Sequence, residues 1–112
     1  MMTETTQWIK LGKISKFDEG VTSIRKKRKN FAILKQDGQI VQVIQDNCPH
    51  NPRILISDDY LIENNMITCQ FHGACFDLSD GSKVSGPGKS KVLLTYEFRI
   101  SNTDNLEILL ES

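Results

Sequence analysis

Apolar residues recur at every second position through most of this chain, the period of a half-buried β-strand, and turn-forming residues interrupt them at short intervals. Trp8 to Leu11 is predicted as a first strand, Asp18-Glu19-Gly20 as a turn, and Val21 to Arg25 as a second strand that runs into the basic stretch Arg25-Lys26-Lys27-Arg28-Lys29 at a hairpin end. Phe31 to Lys35 and Gln39 to Ile44 flank Asp37-Gly38, a pair that favours a tight type I′ hairpin because both central residues accept positive φ. Tyr60-Leu61-Ile62 and Met66-Ile67-Thr68 enclose the turn Glu63-Asn64-Asn65 and lead straight into Cys69. Ala74 to Leu78, the Asp80-Gly81 turn, a Gly86-Pro87-Gly88 loop, Val92 to Ile100 and Leu106 to Leu110 complete the series. Helix signals are poor, so the pattern predicts an all-β sandwich or barrel-like fold.

Composition narrows the picture. A chain of 112 residues fits one domain, taken as residues 1–112, whose small core gains from a staple such as a metal site. Fourteen basic and fourteen acidic residues cancel, so overall charge gives no reason to expect nucleic acid or an anionic membrane as partner. The start, MMTETTQWIK, has no basic region followed by an apolar stretch, and no apolar run approaches the roughly 20 residues of a membrane helix. A cytoplasmic, soluble protein is the expectation. In a reducing compartment three cysteines make a poor disulfide framework, and cysteine near histidine reads as metal binding or catalysis.

Both histidines and all three cysteines fall in two short segments, CPHN at 48–51 and CQFHGACFD at 69–77. The constellation is Cys48-x-His50, then 18 intervening residues, then Cys69-x-x-His72. Residues i and i+2 of an extended segment project the same way, so each segment can present a thiolate and an imidazole to neighbouring metal ions. Thiolates suit zinc or iron–sulfur clusters and imidazoles suit zinc or iron, so ligand type leaves both open. Zinc modules usually carry a Cys-x(2–4)-Cys knuckle, which is absent here, and zinc is the weaker reading. Cys75 fits no ligand slot and reads as a buried or partly buried thiol. Trp8 and Phe17 read as core residues. The basic run at 25–29 reads as a solvated hairpin end, with nucleic-acid binding or nuclear targeting and the steering of an acidic redox partner as its functional alternatives.

The CPH and CQFHGACFD segments resemble the Rieske family, whose pattern is Cys-x-His followed by Cys-x-x-His. His-Gly at 72–73, Phe76-Asp77-Leu78, the following Asp-Gly turn and Ser85-Gly86-Pro87-Gly88 extend the likeness to small Rieske-type ferredoxins over most of the chain. The resemblance implies a Rieske-type antiparallel β-sandwich with a small cluster-binding subdomain, with cluster-binding loops near 46–57 and 67–76 and a covering loop near 85–89. It also implies one 2Fe-2S cluster, with Cys48 and Cys69 on one iron and His50 and His72 on the other. Replacing thiolate by histidine removes negative charge from one iron and raises the potential relative to an all-cysteine cluster.

Departures from the family pattern indicate which kind of member this is. The 18-residue spacer is slightly long, which places extra residues around Glu63-Asn64-Asn65 or in 54–57. Pro52 stands where many relatives have glycine and removes a backbone N–H. Arg53 and Phe71 occupy the positions at which high-potential respiratory relatives carry a disulfide, so no such bridge forms. Ala74 and Phe76 occupy the positions of a serine and a tyrosine that donate to sulfur in those relatives. Without these donors the reduced state is less stabilised, and the potential is expected near the bottom of the Rieske range of about −150 to +300 mV.

The implied function is one-electron transfer without catalysis by the chain itself: a monomeric carrier that accepts electrons from a flavin-dependent ferredoxin reductase and delivers them to a terminal oxygenase. With both histidines committed to the cluster, none is left for a mononuclear iron of an oxygenase active site. A Rieske-like small subunit of a nitrite reductase-type enzyme and a zinc-binding interaction module are the alternatives.

Overall fold

A computed structural model describes residues 6–49, 53, 55–69, 73–85 and 92–111. The fold is nearly all antiparallel β, as the alternation predicts. Among the described residues ten strands form three sheets. The first sheet has the order β1 (Thr6–Lys13), β10 (Asn105–Glu111), β9 (Phe98–Ile100). The second is the meander β2 (Gly20–Lys26), β3 (Lys29–Gln36), β4 (Gln39–Gln45). The third, of four strands, is β5 (Tyr60–Glu63), β6 (Met66–Cys69), β7 (Ala74–Asp77), β8 (Lys83–Ser85). Among the described residues no helix is long and apolar enough to cross a membrane.

Phe31-Ala32-Ile33-Leu34 on β3 is a run of four buried residues, which breaks the apolar–polar alternation. Both faces of this strand are covered. Phe31 and Ile33 pack with Val43, Ile9, Leu11, Leu106 and Ile108 in a core shared with the first sheet. Ala32 and Leu34 pack with Ile44, Ile67, Cys69 and Phe76 in a second core shared with the four-stranded sheet. Because side chains alternate across a strand, a strand between two layers must be apolar at every position. The second sheet is therefore the middle layer.

Turn chemistry sets the register. Asp37 and Gly38 have φ of 53° and 77° between the paired residues Gln36 and Gln39, the two-residue loop expected of Asp-Gly. The Glu19 carboxylate accepts hydrogen bonds from both turn amides, at 3.0 and 2.6 Å. Asn64 and Asn65, with φ of 53° and 60°, close the β5–β6 hairpin. The basic stretch closes β2–β3, with Lys26 paired to Lys29 and Lys27 and Arg28 as the turn.

Two expectations change. Val92 to Ile100 is predicted as one strand, but only Phe98–Ile100 is laddered. The preceding stretch is shared among layers: the Leu93 amide donates to Gly81 O at 2.8 Å, the Gln45 amide to Leu94 O and the Tyr96 amide to Val43 O, each at 2.9 Å. A segment that crosses from sheet to sheet cannot keep one ladder. Trp8, expected in the core, is half-buried on the opposite face of β1 from Ile9, with the Arg99 guanidinium 4.1 Å above its ring. Phe17 is buried as expected.

The Asp80-Gly81 turn is where the third sheet meets this crossing segment. The Ser82 amide holds the exposed Asp80 carboxyl below its ordinary range. Gly81 has φ of 77°, and a Cβ there would lie 1.8 Å from Leu93 O. Gly38 has the same φ, but a Cβ there would meet nothing within 4 Å. Gly81→Ala is expected to lose more than about 2 kcal/mol in urea denaturation, and Gly38→Ala about 1–2 kcal/mol, the cost of φ alone. Equal losses would contradict the close approach at Gly81.

Candidate metal centre

The two candidate loops are each closed at the base by backbone hydrogen bonds. Asn47 and Leu55 form an isolated antiparallel bridge, and the Ile56 amide donates to Asp46 O at 2.7 Å. Between them lies the segment that begins with Cys48 and Pro49. In the second loop Cys69 on β6 and Ala74 on β7 are paired, and the Gly73 amide donates back to Cys69 O at 2.7 Å. β6 thus ends at a cysteine whose carbonyl is tied to the residue that leads into β7.

Cys48 and Cys69 are both 0% exposed and belong to one apolar cluster with Ile56, Ile67, Ala74 and Phe76. Two cysteines from separate loops are thereby brought into one dry environment. That donor chemistry fits a 2Fe-2S cluster, which takes soft thiolates and is tuned by the apolar shell around them. His50 and His72, the other two expected ligands, lie outside the described residues, as do Pro52, Phe71 and the covering loop beyond Ser85. Cys75 is half-buried on β7, between Thr68 and Ser85, as expected of a thiol outside the ligand set. Ala74 and Phe76, fully buried, offer no hydroxyl on this strand.

Sequence reading missed the residue that roots the first loop. Asp46 is 0% exposed, the one buried charged residue among those described. Its Oδ2 accepts from the hydroxyls of Ser23 and Ser57, each at 2.6 Å, and its Oδ1 accepts from the Ser57 amide at 2.8 Å. Its own amide donates to Asn30 O on β3 at 3.0 Å. Asp46 therefore ties β2 to the 3-10 turn Ile56–Asp58 through its carboxylate and holds β3 through its amide, two residues before Cys48. Two further amides extend the tie: Asn30 Nδ2 donates to Asn47 Oδ1 at 3.1 Å, and Gln45 Nε2 to Asn47 O at 2.6 Å. The available signal was Asp46 itself, a charge that closely follows the apolar positions of Val41–Ile44 and directly precedes the ligand loop.

Asp46→Ala leaves two hydroxyls and an amide without their acceptor and is expected to lose about 1–3 kcal/mol in urea denaturation. Iron bound per chain should fall with it, and Asp46→Asn, which keeps an acceptor oxygen, should retain more of both. Full iron loading and unchanged stability in the alanine variant would contradict this role.

Comparison with known proteins agrees with this geometry. The family description "Rieske [2Fe-2S] domain" matches residues 7–99. No curated protein matches in sequence. Among solved structures, the terminal oxygenase of carbazole 1,9a-dioxygenase from Nocardioides aromaticivorans IC177 superposes with a TM-score of 0.74 at 17% identity, over 90% of this chain and 29% of that one. The corresponding oxygenase from Novosphingobium sp. KA1 gives a TM-score of 0.74 at 18% identity, over 90% and 29%. A fluorene-bound oxygenase–ferredoxin complex of carbazole 1,9a-dioxygenase gives 0.75 at 19%, over 90% and 28%. The chain thus spans under a third of these structures, and at such identities the likeness is one of fold. With most of its length matched by the family, this chain belongs to the Rieske 2Fe-2S domain proteins, and that domain holds a Rieske-type 2Fe-2S cluster that supports electron transfer.

Proposed function

We propose that this chain is a monomeric one-electron carrier that accepts electrons from a flavin-dependent ferredoxin reductase and passes them to a terminal oxygenase. Cys48 and Cys69 would hold one iron, and His50 and His72 the other. The observation that carries the reading is the burial of Cys48 and Cys69 in one apolar cluster, at the bases of two hydrogen-bonded loops, inside the matched family region. The cluster supplies a single-electron couple and, with four protein ligands, no vacant position for substrate. The chain's own residues supply the rest: Asp46 and Asn47 fix the first loop, the Cys69–Ala74 pair fixes the second, and Ile56, Ile67 and Phe76 keep the thiolates dry.

A second reading is that these residues form the electron-accepting domain of an oxygenase. Likeness to oxygenase chains, over less than a third of their length, favours it. The test is reconstitution. The purified chain, with a flavin reductase and NADH, should relay electrons to a separately purified Rieske oxygenase and support turnover that is absent without the chain. Reduction by the reductase with no delivery to any oxygenase tried would favour the second reading.

The lack of hydroxyl donors at Ala74 and Phe76 sets the direction of the potential. Protein-film voltammetry at pH 7 should give a midpoint near the bottom of the family range of about −150 to +300 mV, and Ala74→Ser should raise it. A clearly positive wild-type midpoint would contradict the low-potential assignment.

A further inference from the structure

The basic run Arg25-Lys26-Lys27-Arg28-Lys29 supplies no ligand to the metal centre, yet the register carries it there. Ile24 pairs with Phe31 and Phe31 with Gln45, so the β2–β3 turn and the exit of β4 into the first loop lie at the same end of the middle sheet. The connection is also direct. Arg25 Nη1 donates to Asn30 Oδ1 at 3.1 Å, and Asn30 Nδ2 donates to Asn47 Oδ1 at 3.1 Å, one residue before Cys48.

The turn residues are placed against their local preference. Lys27 and Arg28 have φ of 53° and 64°, a conformation that asparagine and glycine adopt more readily. Long cations retained in that conformation point to a use for the charge. All five side chains are exposed, and none forms an ion pair with a carboxylate among the described residues. With the run removed from the count, the remainder of this neutral chain is net acidic. The positive field is therefore local to one end of the molecule.

An apolar element adjoins it. A groove of about 370 Å³ runs from Lys29 past Leu94 and Tyr96 to Glu97. Leu94 is 55% exposed, although its backbone is bonded to Gln45 beside the first loop. A patch with a charged rim and a small apolar centre is the usual anatomy of a protein interface.

We propose that the β2–β3 tip, Arg25 to Lys29, together with Leu94, is the docking surface for an acidic electron-transfer protein. The partner presents carboxylates to the five cations and an apolar residue to Leu94. Leu94, 55% exposed beside the cations, sets the patch apart from a nucleic-acid site, because a phosphate backbone finds nothing in an apolar residue. Docking here sets the partner against the hairpin that is hydrogen-bonded to the first cluster loop. This proposal rests on the electron-carrier reading above and adds the face and the chemistry of the partner.

The test uses the cluster-loaded full chain, reduced and then oxidised in stopped flow by anionic ferricyanide or by cationic hexaamminecobalt(III). Lys27→Asn/Arg28→Gly removes two charges while supplying the residues that the turn prefers, so the hairpin is retained. Lys27→Glu/Arg28→Glu reverses them. In wild type the ferricyanide rate should fall as salt rises from about 0.01 to about 0.15 M, where the Debye length shrinks from about 30 to about 8 Å. At low salt it should fall roughly tenfold in the reversed variant, with the neutral variant between, and the cobalt probe should show the opposite order. Poly-L-glutamate should inhibit ferricyanide oxidation of wild type most, of the Lys27→Asn/Arg28→Gly variant less, and of the reversed variant least. A brown, cluster-loaded chain whose rates ignore these substitutions would overturn the docking surface alone. Tighter hairpin-dependent binding of duplex DNA than of poly-L-glutamate would also overturn it, by assigning the run to nucleic acid. A colourless chain without iron would overturn the electron-carrier reading itself, and the docking proposal with it.

Discussion

The structure turns on a buried carboxylate. Asp46 sits where β4 ends and the first cluster loop begins, and it accepts three hydrogen bonds from two parts of the chain distant in sequence, Ser23 on β2 and Ser57 in the 3-10 turn. Burying a charge is costly unless it is fully hydrogen-bonded, so the same desolvation that makes Asp46 expensive makes the alternatives to this arrangement more expensive still. A loop that leaves the middle sheet at Asp46 is returned to it at Ile56, whose amide donates to Asp46 O. Cys48 inherits its position from that closure.

The three layers divide the work. The first sheet and one face of the middle sheet enclose a core with no candidate ligand in it, built on Phe31, Ile33, Leu106 and Ile108. The other face of the middle sheet packs on the four-stranded sheet, and both cysteines lie in that second core. β3 belongs to both cores, so packing on the side remote from the cysteines fixes the strand against which the cysteine side is built. Electron transfer favours such rigidity, because a centre that is held in place has little to rearrange when its charge changes.

Much of this was legible in the sequence, for identifiable reasons. Asp37-Gly38 and Asn64-Asn65 carry their own backbone preference, so both hairpins could be read locally. The Cys-x-His and Cys-x-x-His segments point to the family because metal-ligand spacing is a local property, and the match over residues 7–99 agrees with that recognition. What depended on the third dimension was harder. Alternation cannot show that Phe31 to Leu34 is covered on both sides, nor that the stretch from Val92 is shared among three partners. β8, Lys83–Ser85, is too short for a pattern and owes its place to pairing with β7. Trp8 is apolar enough to be read as core, yet finds its cover in Arg99, 91 residues away in sequence. Asp46 gave no motif at all, because its partners Ser23 and Ser57 converge only on folding.

Two thiolates and two imidazoles holding one Rieske cluster is the assignment on which the function rests. The most direct measurement of it is electron–nuclear double resonance on the reduced protein grown with nitrogen-15 histidine. Two strongly coupled histidine nitrogens, on a signal whose average g lies below the free-electron value, are the predicted result, and each of His50→Ala and His72→Ala should remove one or lose the cluster. A reduced cluster with no coupled histidine nitrogen, or a colourless protein carrying one zinc, would contradict the account.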